Sequence, residues 1–299
     1  QAYMGHVQDN AEECIRNAIT KLKEGNYDYQ LDNGEFIKVK IKIDHINREA
    51  TIDFTGTAEK NPLNYNAPIA VCHAVILYVF RTLVGKNIPL NEGCFKPLNI
   101  IIPDNSMINA KYPSAVIAGN TEVSQLTCNA LFGALGVIAG SQATMNNFIW
   151  GNDKIQNYET ICGGTGAGPD FHGTSAVQTH MTNTRSTDPE VLELRFPVRL
   201  EEFSIRKNSG GIGKFNGGDG ATRKLRFLDK MTVTTLCSHR KIRPFGVGGG
   251  EAGECGKEWL EKKDGTVVEL QGNDSCEVEK GDLFIMLTPS GGGFGNREN

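Results

Sequence analysis

The sequence predicts an α+β protein built from two parts. Residues 1–145 form an α+β part with antiparallel strands and two buried helices, and residues 146–299 form a β-rich, glycine-rich part. Helical apolar spacing and period-two segments both occur in the first part, whereas short β-branched segments cut by glycine fill the second. Of 35 glycines, ten lie in residues 1–150 and twenty-five in residues 151–299. A length of 299 residues agrees with two domains of about 150 residues each.

Composition excludes two classes of protein. Hydrophobic residues make up 39% of the chain, enough for a sizeable core. No apolar run reaches the roughly 18 residues that a membrane helix needs. The 31 basic and 35 acidic residues leave a net charge of −4, without the cationic excess that nucleic-acid binding requires. We therefore expect neither a membrane nor a nucleic acid as partner.

The first part begins with an amphipathic helix predicted over residues 10–24, because apolar residues recur at helical spacing and Gly25 follows. Residues 37–43 and 50–54 alternate apolar and polar side chains, which predicts an antiparallel pair with one solvated face. Two nearly continuous apolar helices are predicted from Asn66 to Gly85 and from Thr121 to about Gly140. Residues 98–103 predict a short buried strand.

The second part predicts a sandwich or barrel of short strands. Its β-branched segments are ELRFPVRLEEFSIR, ATRKLRFL, MTVTTLCSH, TVVELQ and LFIMLT, with a helical turn near Pro189–Leu192. Tight turns need positive φ, so we assign most of the late glycines to β-turns. The glycine clusters at 163–168 and 291–295 are expected near a substrate or a partner.

The eight cysteines are spread through a chain large enough to need no disulfide staples, and no CxxC pair occurs. This pattern indicates reduced thiols and a cytoplasmic protein. Residues 1–20 also lack the basic and apolar regions of a secretory signal.

The glycine run 163–168 does not fit a nucleotide site. The P-loop pattern GxxxxGK[ST] is absent, and the spacing GxGxG followed by Pro169 differs from the dinucleotide fingerprint. A loop that approaches other backbone or a substrate closely is the alternative, since glycine lacks a Cβ.

Residues 172–188 are the densest polar segment of the chain. They contain His172, His180, Asn183, Arg185 and Asp188, together with several hydroxyls. A neutral histidine can transfer protons near pH 7, and arginine can hold a carboxylate in a fork. The alternative is a hydrogen-bonded loop in which Asp188 caps the turn that Pro189 begins.

No self-contained metal site is visible, because the six histidines form no HxH, HxxxH or HExxH pattern. His73 lies within a buried helix and is interpreted as a core residue. The cluster from His239 to Arg243 is interpreted as a solvated strand edge rather than an anion site.

Nine blocks, in matching order over roughly residues 30–296, resemble the hydantoinase B/5-oxoprolinase family. They are Asp53–Thr57, Asn66–Pro68, Ile88–Gly93, Ala118–Gln125, Tyr158–Thr160, Gly163–Gly168, Thr179–Arg185, Ser209–Gly213 and Pro289–Gly295. The resemblance implies the C-terminal half of a longer chain, with a metal-associated N-terminal part outside these residues.

The resemblance also implies a function. A cyclic amide, such as 5-oxoproline or a hydantoin, is opened after an ATP-binding A-type subunit activates its carbonyl. ATP and Mg²⁺ would belong to that partner, and any divalent metal to the absent N-terminal part, so this fragment alone would bind no cofactor and be inactive. The alternatives are a non-catalytic docking half of the complex and a subunit of an acetone-carboxylase-like enzyme.

Site roles follow from the same resemblance. Arg185 would bind a carboxylate or phosphate, His180 would transfer protons, and Asn183 and Asp188 would orient both. The predicted substrate-binding residues are Gly164, Gly166, Gly168 and Glu122.

Overall fold

The computed structural model describes residues 2–297 and confirms the α+β class. The chain divides into two compact units, Gln1–Gly136 and Val137–Asn299, called unit 1 and unit 2. Among residues 2–297, no helix combines the length and the apolarity needed to cross a bilayer. All eight cysteines carry free thiols.

Unit 1 contains three helices and a four-stranded sheet. Its elements are α1 (Ala2–Ile19), β1 (Gly25–Gln30), β2 (Phe36–Asp44), β3 (Glu49–Asp53), α2 (Ile69–Leu83), β4 (Leu98–Ile101) and α3 (Ser124–Leu135). The sheet order is β1-β2-β3-β4; the first three strands are antiparallel, and β4 runs parallel to β3. The two predicted strands and the two predicted helices are therefore present; α3 is buried nearly throughout, whereas α2 is buried along one face only.

The bounds of the first helix were wrong in the prediction. Helix α1 starts at Ala2 and ends at Ile19. Its early turns are exposed, so no apolar periodicity marks them in the sequence. At the other end of the unit, helix α3 follows a π-helical turn over Gly119–Val123 and stops at Gly136, whose φ of 65° is left-handed.

Alternation explains how the unit 1 sheet buries one face. Ile37, Val39 and Ile41 of β2 are buried together with Ile52 of β3, while the intervening lysines lie on the other face. Helix α3 packs on β1, β2 and α2 and is buried along nearly its whole surface. This explains why its sequence shows little amphipathic contrast.

Unit 2 contains two antiparallel sheets over a shared core. Its elements are β5 (Asn147–Gly151), β6 (Gln156–Thr160), α4 (Pro189–Arg195), β7 (Val198–Arg206), β8 (Gly220–Phe227), β9 (Met231–Leu236), β10 (Lys257–Glu261), β11 (Val267–Leu270), β12 (Asn273–Val278) and β13 (Leu283–Leu287). The sheet orders are β11-β10-β13-β8-β7 and β12-β9-β5-β6. Strands β5, β6, β10 and β12 were not predicted.

Aromatic side chains from both sheets meet in this core. Phe148 of β5 stacks on Phe284 of β13 with ring centroids 4.4 Å apart. Trp150 meets Phe227 edge-on at 5.9 Å. Such pairs add roughly 0.5–1.5 kcal/mol beyond the area they bury.

Loops rich in glycine form a separate layer of unit 2, here called the glycine layer: residues 163–168, 210–218, 246–256 and 289–295. Backbone bonds join the loops directly, including Gly218 N to Thr165 O at 2.9 Å and Gly291 N to Gly218 O at 2.8 Å. Only five of the twenty-five late glycines have positive φ: Gly248, Gly249, Gly265, Gly281 and Gly295. The assignment of most late glycines to β-turns was therefore wrong, and close backbone approach explains most of them.

Candidate functional site

The polar segment 172–188 lies in unit 2 between β6 and α4 and has no regular secondary structure. Its middle pairs with the glycine run, since Val177 N donates to Gly163 O at 2.9 Å. Gln178 Nε2 donates to Thr160 O at 3.1 Å, and the hydroxyls of Thr160 and Thr184 are in contact. The end of β6 therefore holds both flanks of His180.

His180 has a neutral ring at pH 7. The side chain is only partly exposed, and burial lowers its pKa from 6.5 to about 4, because desolvation disfavours the imidazolium. Its φ of 50° is left-handed, a conformation that costs a non-glycine residue roughly 1–2 kcal/mol. Strain of this kind often accompanies functional positions.

Asn183 and Arg185 follow on the surface. Both side chains are exposed. Within residues 2–297, the Arg185 guanidinium has no hydrogen-bond or ion-pair partner, so its five donors are available to a ligand. Arg185 can bind an anion, and the neutral ring of His180, five residues earlier in the sequence, can transfer a proton. These two residues are therefore the main catalytic candidates of the segment.

Asp188 is committed to a structural contact. Its Oδ1 accepts from Glu190 N at 3.0 Å and Val191 N at 3.5 Å, which caps α4, and Pro189 follows at the start of the helix. The alternative interpretation of Asp188 as a helix cap is confirmed. An orienting role for Asp188 stays a prediction.

The three predicted substrate-binding glycines are buried, and their amides are occupied. Gly164 N donates to Pro289 O at 3.1 Å, Gly166 N to Ser141 Oγ at 3.1 Å, and Gly168 N to Phe171 O at 3.1 Å. A Cβ on Gly164 or Gly166 would overlap the carbonyl oxygen of Gly218 or Ala139. These contacts account for glycine by packing alone, and substrate binding by these residues stays a prediction.

Glu122, the fourth predicted substrate-binding residue, belongs to unit 1. It is fully buried on the π-helical turn Gly119–Val123 that precedes α3. Buried polar side chains continue along α3, where Asn129 Nδ2 lies 3.2 Å from Tyr29 Oη. π-helical turns are frequent at functional sites, so this buried polar row is a second candidate region.

Two buried ion pairs in unit 2 were not predicted from the sequence. Arg223 of β8 forms a fork with Glu159 of β6, with bonds of 2.9 and 2.6 Å. Alternation along β8 places Arg223 on the face of Ala221, Leu225 and Phe227, and this signal could have revealed its burial.

The second pair corrects an expectation. Arg240 Nε lies 2.8 Å from Glu258 Oε2, with side chains 7% and 0% exposed, and His239 beside it is 3% exposed. The interpretation of this cluster as a solvated strand edge was therefore wrong for these two residues. The acidic partner comes from β10, which the sequence did not predict.

The residues present do not assemble a metal site. Within the described chain, no three His, Cys, Asp or Glu side chains gather so that they could hold a metal ion.

Comparison with known proteins places this fold in a family. The sequence model described as Hydantoinase B/oxoprolinase matches residues 1–297, and the chain belongs to that family. A 5-oxoprolinase of Dictyostelium discoideum is 40% identical over 308 residues, covering 100% of this chain and 24% of the relative. The chain thus spans about a quarter of that relative's length.

Two solved structures share the fold. An ATP-dependent caprolactamase from Pseudomonas jessenii superposes with a TM-score of 0.84 at 21% identity, over 99% of this chain and 56% of the other. An acetone carboxylase gives a TM-score of 0.80 at 17% identity, over 96% and 48%. At these identities the likeness concerns the fold alone.

Proposed function

We propose that this chain is the B-type half of an ATP-dependent cyclic-amide hydrolase of the 5-oxoprolinase or hydantoinase type. It opens the ring after an A-type partner, which binds ATP and Mg²⁺, has activated the amide carbonyl. Family membership and the 40% identity to a 5-oxoprolinase support the reaction class. The observation that carries the site is the free guanidinium of Arg185 close in sequence to the neutral ring of His180.

Arg185 binds the anionic group of the substrate. Its planar fork matches a carboxylate or a phosphate, and no described residue competes for it.

His180 moves the proton during ring opening. A neutral imidazole offers one nitrogen as acceptor and the other as donor, so the ring can take a proton from water and return it to the leaving nitrogen. With a pKa of about 4 in the free chain, the ring starts deprotonated at pH 7.

Asn183 orients the substrate from the exposed side of the loop, and Asp188 holds the loop by capping α4. Gly164, Gly166 and Gly168 are assigned to substrate binding; they belong to the loop that pairs with the polar segment through the bond between Gly163 and Val177. Glu122 is assigned to substrate binding within unit 1.

Substitution of Arg185 tests this assignment. In the complete enzyme assembled with its partner, we expect Arg185→Ala to lower turnover at least tenfold, about 1.4 kcal/mol of transition-state stabilisation. Arg195→Ala is the matched control, because Arg195 is an exposed arginine on the adjacent α4. Equal kinetics of both variants in intact complexes would reject a role for Arg185.

The second candidate function is a docking half without catalytic residues. The exposure of Asn183 and Arg185 and the internal bonding of the glycine amides favour it. Alanine at His180 or Arg185 would then reduce co-purification with the A-type partner, with normal turnover per assembled complex. If the chain is the hydrolytic half, the same variants should co-purify normally with the A-type partner and show reduced turnover.

The substrate class is tested separately. ADP release by the assembled complex is measured with 5-oxoproline, hydantoin and acetone, with and without bicarbonate. Stimulation by a cyclic amide supports the hydrolase, whereas stimulation by acetone that depends on bicarbonate identifies a carboxylase and overturns the proposal.

A further inference from the structure

A cleft of about 340 Å³ lies within unit 2 where residues 172–176 and 216–219 run side by side. His172, Asn208, Asn216 and Asp219 line it with polar side chains. Backbone hydrogen bonds join these two loop segments: Gly173 N donates to Asn216 O at 2.8 Å, and Ala176 N donates to Asp219 O at 2.9 Å. His180 and Arg185 do not line this cleft.

His172 presents a hydrogen-bond donor to the cleft. The backbone N–H of Asn216 donates to His172 Nδ1 at 2.8 Å, so the ring hydrogen resides on Nε2. Phe215 contacts the ring edge-on at 5.4 Å. Within residues 2–297, Nε2 has no partner, and the held ring keeps it available as a donor.

Asn216 adds further donors. Its Oδ1 accepts from Gly213 N at 3.1 Å, which fixes the orientation of the amide group. The two hydrogens of Nδ2 have no protein acceptor in the part of the chain that the structure describes. His172 and Asn216 line the same cleft, and hydrogen-bond donors from both suit a carboxylate.

Asp219 supplies the opposite charge. Its Oδ1 accepts from Ser209 N at 2.9 Å and Gly210 N at 2.8 Å, while its own N–H donates to Ser175 Oγ at 2.9 Å. These bonds fix the residue and leave Oδ2 without a protein donor among the described residues. Asp219 is half-buried, and a carboxylate oxygen without a donor favours a cationic one.

Glycine is required in the walls of the cleft because neighbouring backbone lies against it. A Cβ on Gly173, Gly210 or Gly217 would overlap a carbonyl oxygen of Thr165, Gly217 or Gly291, respectively. Since Asn216 and Asp219 are three residues apart, their Cα atoms lie within about 10 Å. A ligand of few heavy atoms can reach both.

We infer that this cleft binds an α-amino acid as its zwitterion. The ligand carboxylate accepts from His172 Nε2 and Asn216 Nδ2, and the ligand ammonium donates to Asp219 Oδ2. The volume of the cleft, near the lower end of small-molecule sites, leaves room for a side chain. His180 and Arg185 take no part in this binding, so a failure of the proposed function would not exclude it.

Glycine, acetate and methylammonium are the probes for the test. They are titrated into the full-length protein without ATP, while the imidazole signal of His172 is followed by NMR. Glycine is expected to shift the signal saturably, with an apparent affinity at least tenfold higher than either half-molecule. A response to acetate equal to that of glycine, or no saturable response to glycine, overturns the inference.

Three variants locate the contacts. Asp219→Asn keeps an oxygen for Ser209 N and Gly210 N but removes the charge, and is expected to weaken glycine binding at least tenfold. His172→Asn keeps an acceptor for Asn216 N but removes the Nε2 donor, with a similar loss measured by calorimetry. His45→Asn, at an exposed turn of unit 1, serves as the control and leaves affinity unchanged.

Binding in the cleft can still be tested if one of these variants folds poorly. His172 is exposed, so His172→Asn tests the cleft even where Asp219→Asn is unstable. Wild-type affinity in a folded His172→Asn protein rejects the inference. Arg185→Ala is expected to bind glycine normally, which separates this site from the proposed catalytic one.

Discussion

Helix α3 of unit 1 and the glycine layer of unit 2 are both buried, but they reach burial by opposite means. Around α3, large side chains fill the space between helix and sheet, with Leu131 and Phe132 exposed by 0% and 1%. In the glycine layer, carbonyl and amide groups of neighbouring loops touch with no side chain between them. We therefore expect the stability of unit 1 to fall when buried side-chain atoms around α3 are removed. The stability of unit 2 should fall when atoms are added to the glycine layer.

Removal of atoms in unit 1 has the largest expected effect. Leu131→Ala deletes a fully buried side chain and should lower the free energy of unfolding by about 3–4 kcal/mol, through lost burial and the cavity that remains. Urea unfolding measures the change. Leu63→Ala, at a side chain 73% exposed, should stay within about 0.5 kcal/mol; equal losses would contradict side-chain packing as the cause.

Addition of one methyl group to the glycine layer comes next. A Cβ at Gly291 would overlap Thr165 O, so Gly291→Ala should cost about 3 kcal/mol in the same assay. Gly5→Ala is the control, because Gly5 lies within α1 with nothing near its Cβ position. It should raise stability by up to about 1 kcal/mol. A tolerated Gly291→Ala would disprove backbone packing in the layer.

The pH dependence of stability tests whether the His180 side chain, beside the glycine layer, is desolvated. Its folded pKa of about 4 lies below the unfolded value of about 6.5, so the unfolded chain binds more protons between these pH values. Stability from this group is therefore present above pH 6.5 and lost as pH falls towards 4.

The expected size of this effect, allowing for partial exposure of the ring, is about 2 kcal/mol between pH 7 and 4.5. Urea unfolding at both pH values should show that wild type loses this much more stability than His180→Gln. Parallel pH profiles for the two proteins would show that the ring is solvated.

The smallest effect is expected at the end of the polar segment. Asp188→Ala removes the cap of α4 and should cost about 1 kcal/mol, whereas Asp188→Asn retains an acceptor and should cost less. Thermal unfolding of the two variants compares them. If Asp188→Asn instead lowers turnover with little loss of stability, the carboxylate acts beyond capping.

Strands and helices that bury a single face were predictable, because the burial leaves a regular pattern of apolar residues in the sequence. Ile37, Val39 and Ile41 alternate because β2 has one buried face, and that period is visible in the residues alone. Strand β10 escaped prediction because its short sequence KEWLE carries Glu258 on a buried position, where Arg240 neutralises it. Pairing across eighteen residues of chain leaves no local signal.

The candidate site divides in the same way. The concentration of His180, Asn183 and Arg185 in one segment was visible in the sequence, as was the cap at Asp188. Desolvation of His180 was not visible, since it depends on protein atoms brought around the ring by folding. The hydrogen bond between His172 and Asn216, 44 residues apart in sequence, likewise forms only when the chain folds.

The sequence by itself determined the α+β class, the family and the polar segment, because periodicity and motif order are properties of residues close in the chain. Only the tertiary structure decided what the late glycines do. A missing Cβ permits a turn, a ligand or another backbone equally well, and the sequence cannot distinguish these uses. In the folded chain, other backbone occupies the space that a side chain would need. The carbonyl group of Gly218 lies there at Gly164, that of Ala139 at Gly166 and that of Thr165 at Gly291.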